Sequence, residues 1–161
     1  MNDADPIAER NALARRYQAR GELDRAIALF ETNLRECADL RGADSADTLA
    51  ARNNLARAYQ DAGRLDDAIP LLERNLGDSI RLLGADHPSA LVAQANLARA
   101  YQDAGRLNDA IPLLERGLDA VLRSSGPDHP YAPVARANLA AAYRAAGRNA
   151  DAEALNPSEE G

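Results

Sequence analysis

The chain has 161 residues, with 25 acidic side chains against 19 basic ones and a net charge of -6. That length suits one domain with a hydrophobic interior, and the acidic excess argues against a general nucleic-acid or anionic-membrane binder, because attraction to phosphate needs a basic excess. A single cysteine, Cys37, and no CxxC or Cys/His ligand spacing exclude an internal disulfide and leave structural zinc without support. In chain order, Asp5-Pro6 reads as an N-cap followed by proline at the first helical position, and a first helix is predicted to run to about Arg20. Gly21 follows where a left-handed residue would end that helix, and Gly63, Gly105 and Gly147 recur at the same phase. A second helix is expected after each glycine, capped by Asp24, Asp66 or Asn108, with Asn149 as the nearest cap in the last copy.

The apolar positions of the second helix, Leu65, Ile69, Leu72, Leu76, Ile80 and Leu83, step by four and three, as one helical face requires. Pro70 and Pro112 are expected within the first turn, where the amide has few intrahelical acceptors. These long helices end at Gly42, Gly84 and Gly126, which open the loops GADSAD, GADHPS and GPDHPY; in the last two an Asp ahead of a proline can cap the next helix. The equivalent first helices are predicted near 48–62, 90–104 and 132–146. Asn156-Pro157 should cut the last second helix short, leaving 157–161 as a disordered tail.

The governing feature is internal repetition. NLARAYQDAGRLDDAIPLLER, Asn54 to Arg74, returns 42 residues later as NLARAYQDAGRLNDAIPLLER, Asn96 to Arg116, with one change, Asp66 to Asn108. Weaker echoes begin at Ala12 and Asn138. A fixed period of this length in helix-forming sequence means stacked helix pairs. The expected fold is all-α: a right-handed solenoid of about three and a half repeats, near 5–42, 47–84, 89–126 and 131–156, within one domain of residues 1–156. The first and second helices of each repeat are called A and B below.

The pattern Leu55-Ala56-x-x-Tyr59, Gly63, then Ala68-x-x-x-Leu72 resembles the tetratricopeptide repeat (TPR), with L-G-x-x-Y in one helix and A-x-x-x-F in the next. The period exceeds the usual ~34 residues by about two turns of helix B. With NNLARAY (Asn53 to Tyr59) and GADHPSALV (Gly84 to Val92), it looks like the kinesin light chain type of TPR, a type that also occurs in bacterial signalling proteins. Two departures stand out. The large aromatic three positions before the motif leucine is replaced by Arg10, Arg52, Gln94 and Arg136, so that packing contact must be met otherwise. The last repeat lacks most of helix B, which should leave apolar parts of its A helix, such as Leu139 and Tyr143, incompletely covered.

Helix A of repeat two has an apolar stripe, Leu55, Ala58, Tyr59 and Ala62, and a polar face of Asn53, Asn54, Arg57, Gln60 and Asp61. Repeat three presents Asn96, Arg99, Gln102 and Asp103 in the same phase; repeat one offers Asn11, Arg15 and Gln18; repeat four offers Asn138 and Arg144. The resemblance implies that the A helices line a concave groove and that Asn54, Asn96 and Asn138 hold a peptide backbone there. Asparagine amides both donate and accept, and arginine forks suit carboxylates. The candidate binding residues are therefore Asn11, Arg15, Asn53, Asn54, Arg57, Asn96, Arg99, Asn138 and Arg144, and the expected partner is a protein or peptide, including one with acidic residues.

A plainer reading stands beside this one. Arg57 with Asp61 and Arg99 with Asp103 are four apart and can pair along a solvated helix, and neighbouring asparagines can bond each other to hold repeats in register. His87 and His129 recur one period apart, on the order of 10 Å in stacked helices, too far for shared metal ligation, and each sits in a loop that starts a helix. No catalytic motif, metal site or cofactor site is expected. Self-assembly through the C-terminal end is the alternative function. The opening MNDADPIAER has neither the basic nor the apolar part of a leader, and no apolar run is long enough to cross a bilayer, which places the chain in the cytoplasm.

Overall fold

In the computed structural model, residues 5–126 and 130–155 are described. Their elements are α1 (Pro6–Ala19), α2 (Leu23–Arg41), α3 (Ala46–Asp61), α4 (Leu65–Leu83), α5 (Pro88–Asp103), α6 (Leu107–Ser125), α7 (Tyr131–Ala145) and α8 (Asn149–Ala154). Two compact units result, one up to Ala85 and one from Asp86 onward. Within the first, α1 packs on α2, α2 on α3 and α3 on α4; within the second, α5 packs on α6, α6 on α7 and α7 on α8. The tail expected at 157–161 lies outside the described residues.

The turn inside each repeat is a Schellman motif. Gly63 has φ +71, its amide donates to the Gln60 carbonyl at 2.9 Å, and the Arg64 amide reaches back to the Tyr59 carbonyl at 2.8 Å. This closes the orphan carbonyls of α3, and only glycine takes the left-handed position without strain. Arg64 then lays its guanidinium 4.5 Å from the Tyr59 ring and bonds Asp67 at 2.8 Å. Arg106 over Tyr101 with Asp109, and Arg148 over Tyr143 with Asp151, repeat the arrangement.

That tight turn corrects the predicted caps. The B helices begin at Leu23, Leu65, Leu107 and Asn149, with Glu22, Arg64, Arg106 and Arg148 in the cap position and no side-chain cap bond. A single cap residue separates the glycine from the helix, so Asp24, Asp66, Asn108 and Asn149 fall inside the first turn. There the aspartates favour the positive end of the helix dipole without capping it. The same shift puts Pro70 and Pro112 in the second turn, not the first. Each removes one helical hydrogen bond; Pro70 and Asp66, four residues apart, are both exposed, so water can satisfy the freed carbonyl.

Between repeats, Ser45 Oγ accepts from the Thr48 amide at 3.2 Å to start α3. At α5 the cap is His87, not Asp86: His87 Nδ1 accepts from the Ser89 amide at 3.1 Å, while Asp86 pairs with Arg123 at 3.2 Å. His87 thus has the helix-starting role expected of it; Asp128 and His129 lie outside the described residues. Asp5 caps α1 as expected, accepting from the Ile7 amide at 3.0 Å.

The interior of the first unit gathers Ile27, Phe30, Leu55 and Tyr59 among small alanines. Tyr59 is 8% exposed and donates its hydroxyl to Glu31 Oε1 at 2.6 Å; burial first, and then that carboxylate, push its pKa up to about 12. In the second unit Tyr143 donates to Glu115 at 2.5 Å, and Leu139 and Tyr143 are buried beside Ile111, Leu118 and Ala152. The expectation that these two would be uncovered is therefore wrong: a six-residue α8 suffices, because Ala152 and Leu155 pack against them and Arg148 covers the Tyr143 ring. Cys37 is buried, and burial raises its thiol pKa.

The missing aromatic is met by polar contacts. Arg52 is 3% exposed and bonds Asp78 at 2.8 Å. Burial alone would raise Asp78, but hydrogen bonds from Arg52 and Arg81 outweigh it and hold the carboxyl below the usual aspartate range. In repeat one, Arg10 bonds Glu36 at 2.6 Å and Asn33 at 2.9 Å; in repeat three, Gln94 donates to the Leu113 carbonyl at 2.9 Å. In the second half of α4, on either side of Asp78, Asn75 and Ser79 are buried. Ile80 and Leu83, expected on the apolar face, are 38% and 45% exposed.

Candidate functional site: the polar face of the A helices

In the first unit, α1 and α3 present their polar faces together. Asn54 Nδ2 donates to Asn11 Oδ1 at 3.2 Å, and Gln18 Nε2 donates to Asp61 Oδ2 at 2.5 Å. A polar depression of about 390 Å³ is lined by Arg15, Asn54, Arg57, Gln18 and Asp61. The expected pairing of Arg57 with Asp61 does not form, because Asp61 is taken by Gln18 from the neighbouring repeat. Among the described residues neither Arg15 nor Arg57 makes an ion pair, and both are exposed, so two unneutralised forks flank a pair of asparagines. The Asn11–Asn54 bond also realises the plainer reading, since it ties repeat one to repeat two. Asn54 nevertheless lines the depression.

Asn53 and Asn96 are half-buried and engaged with other groups. On α5, Arg99 does pair with Asp103, at 3.9 Å and with its side chain 79% exposed, a geometry worth little in water. Asn138 and Arg144 are exposed on α7. Of the predicted site residues, then, Asn11, Arg15, Asn54 and Arg57 gather at the α1/α3 face, while Asn96, Arg99, Asn138 and Arg144 belong to the second unit.

Sequence reasoning missed a second depression, of about 370 Å³, between α5, α6 and α7, where Asn138 forms part of an otherwise largely apolar wall. Its signal was present: Asn53, Asn75 and Ser79 of repeat two are replaced by Ala95, Gly117 and Val121 in repeat three. Among the described residues no group of three or more His, Cys, Asp or Glu side chains could hold a metal ion, and no helix is long and apolar enough to cross a membrane.

The tetratricopeptide repeat family matches residues 6–76, 59–123 and 89–156. The chain belongs to this family. Tetratricopeptide repeats are in general protein-interaction modules, and the fold class is the all-α, TPR-like solenoid. Solved structures of similar fold include a kinesin light chain-like protein of Podosopora anserina with nearly identical TPR-like repeats. It is 34% identical, with TM-score 0.85, over 96% of this chain and 74% of that one. BtubC (BKLC) from P. vanneervenii is 24% identical with TM-score 0.82, over 97% of this chain and 63% of its own. The apo form of RapI, at 12% identity and TM-score 0.77 over 96% and 55%, shares the fold alone. No curated protein matches the chain in sequence.

Proposed function

We propose that this TPR protein binds an extended segment of a partner protein on the polar A-helix faces, with the α1/α3 face as the principal contact, in a cytoplasmic setting. The observation that carries the reading is the pair of unneutralised guanidiniums, Arg15 and Arg57, beside the Asn11–Asn54 amide pair. An amide pair can exchange its mutual bond for bonds to a peptide backbone at little net cost, since donors and acceptors remain matched. The two forks favour a partner segment carrying carboxylates, and Asp61, already engaged by Gln18, opposes them only in part.

Peptides selected from a random display library and titrated against the wild type should lose about tenfold or more in affinity on Asn54→Ala/Arg57→Ala. Raising the salt should weaken binding to the wild type more than to that variant. Unchanged affinity in the variant would remove this face as the site. Self-assembly through the C-terminal end loses its ground, since Leu139 and Tyr143 are covered.

A further inference from the structure

The position three before the motif leucine is matched, repeat by repeat, to a residue of helix B. In repeat one Arg10 bonds Glu36 at 2.6 Å, and in repeat two Arg52 bonds Asp78 at 2.8 Å, at the same separation of 26 residues. Repeat three has Ala120 where that acid would stand, and there the arginine is replaced by Gln94. Repeat four breaks the match. It keeps Arg136, yet its helix B, α8, ends at Ala154, at the phase of Pro70, whereas α4 runs on to Leu83. Arg136 is half-buried on α7 and, among the described residues, forms no ion pair. Pro133, at the phase of the buried Leu49, is exposed. Because α8 covers Leu139 and Tyr143 in the second half of α7, the part left open is the first half, where the rest of a helix B would lie.

A half-buried guanidinium with no counter-ion has given up part of its hydration without a charged partner in return, and a carboxylate brought to it recovers that loss. Repeats one and two show how the carboxylate arrives. It comes on a helix, in the strings Asn33-Leu34-Arg35-Glu36-Cys37 and Asn75-Leu76-Gly77-Asp78-Ser79, whose asparagine and small residue, four apart, are buried on one face. Asn33 Nδ2 also donates to the Ile7 carbonyl at 3.2 Å, and Pro133 stands at the phase of Ile7, so its carbonyl offers an incoming asparagine the same bond.

We infer that the first half of α7 is a docking face for an amphipathic helix of a partner protein, one that carries the pattern Asn-Leu-x-acid-small, sets its carboxylate on Arg136 and so completes the fourth repeat in trans. The helix supplies what α8 lacks: the acid for the arginine and a small-residue face for the open backbone beside Pro133. This surface is separate from the α1/α3 face and stands or falls by itself.

The probe is a peptide of this chain's own residues 71–83, LLERNLGDSIRLL, blocked at both ends, added to the full chain and followed by NMR of the α7 amides and the Arg136 side-chain Nε–H. A second peptide carries Gly77→Ala, which removes a helix-weakening glycine; Arg35 at the same phase in repeat one shows that a side chain fits there. Both should shift the first half of α7 saturably, the alanine form at lower concentration. Asp78→Asn in either peptide should weaken binding about tenfold, the loss of one charge-assisted hydrogen bond. Against Arg136→Gln in the full chain, the Asp and Asn peptides should bind alike, because the pair they test is already gone. No saturable shift with either peptide up to the solubility limit, or an equal loss from Asp78→Asn on the wild type and on Arg136→Gln, would overturn the inference. So would tighter peptide binding by Glu159→Gln/Glu160→Gln, which would make the chain's own acidic residues the occupants of Arg136. Shifts of α7 that grow with protein concentration without any peptide would overturn it as well, in favour of a second copy of the chain.

Discussion

Repeats two and three share a 21-residue stretch with one difference, and the structure treats that stretch identically: the same glycine turn, the same arginine over the same tyrosine at 4.5 and 4.4 Å, and the same start of helix B. Their flanking halves diverge. Repeat two places Arg52 and Asp78 in contact out of water, whereas repeat three carries Gln94 and Ala120 at those positions, with Gly117 beside the Gln94 amide and an apolar cleft open next to it. The shared stretch builds the hairpin, and the residues around it decide what each repeat offers to a ligand. Repetition therefore specifies the frame, and departures from it specify the sites.

The largest effect should separate the two repeats at this point. Arg52→Ala leaves Asp78 with only the exposed Arg74 and Arg81 and should cost about 3 kcal/mol, the usual penalty for breaking a buried ion pair. Gln94→Ala should cost about 1 kcal/mol, one neutral hydrogen bond. Denaturant unfolding of both variants checks this, and equal costs would erase the contrast.

A second expectation concerns alkaline pH. The chain contains no lysine, so no lysine titration overlaps the tyrosine range. The fold raises Tyr59 from 10.0 to about 12, that is, it favours the neutral phenol. Its contribution to stability is therefore fully present below pH ~10 and is lost as pH rises through the folded value. Stability should fall across that window, and Tyr59→Phe should flatten the fall while costing about 1 kcal/mol at neutral pH. An unchanged profile in Tyr59→Phe would assign the drop to other groups.

Smaller effects sharpen the claim that the shared stretch is energetically the same in both copies. Arg64→Ala and Arg106→Ala each remove one guanidinium–ring contact and one exposed ion pair and should cost about 0.5–1 kcal/mol apiece. A difference much larger than that would mean the surroundings reach into the turn. Smallest of all, Arg57→Ala should change stability by no more than ~0.5 kcal/mol, because the side chain is exposed and unpaired among the described residues. Its effect belongs to binding.

Much of this was legible in the sequence. The period, the glycines at a common phase and the tyrosine ahead of each one identified the helix pairs, because a left-handed turn residue and a buried ring leave strong, local marks. The caps were misread because Asp24, Asp66 and Asn108 look like cap residues, whereas a one-residue passage from glycine into helix leaves no cap position for them. Gln18 taking Asp61 from Arg57 could not be seen in one helix, since the partners stand 43 residues apart in different repeats. The cleft escaped notice for a related reason: it is made by side chains that are small or missing, and a pattern search registers what is present.

The measurement that bears most directly on the central claim is residue-resolved NMR mapping of a display-selected peptide on the full chain. The expected result is perturbation concentrated at Asn11, Arg15, Asn54 and Arg57, lost on Asn54→Ala/Arg57→Ala while the spectrum otherwise keeps the native pattern. Perturbation confined to the exposed residues of α2 and α4, with the α1/α3 face silent, would contradict it and move binding to the B helices.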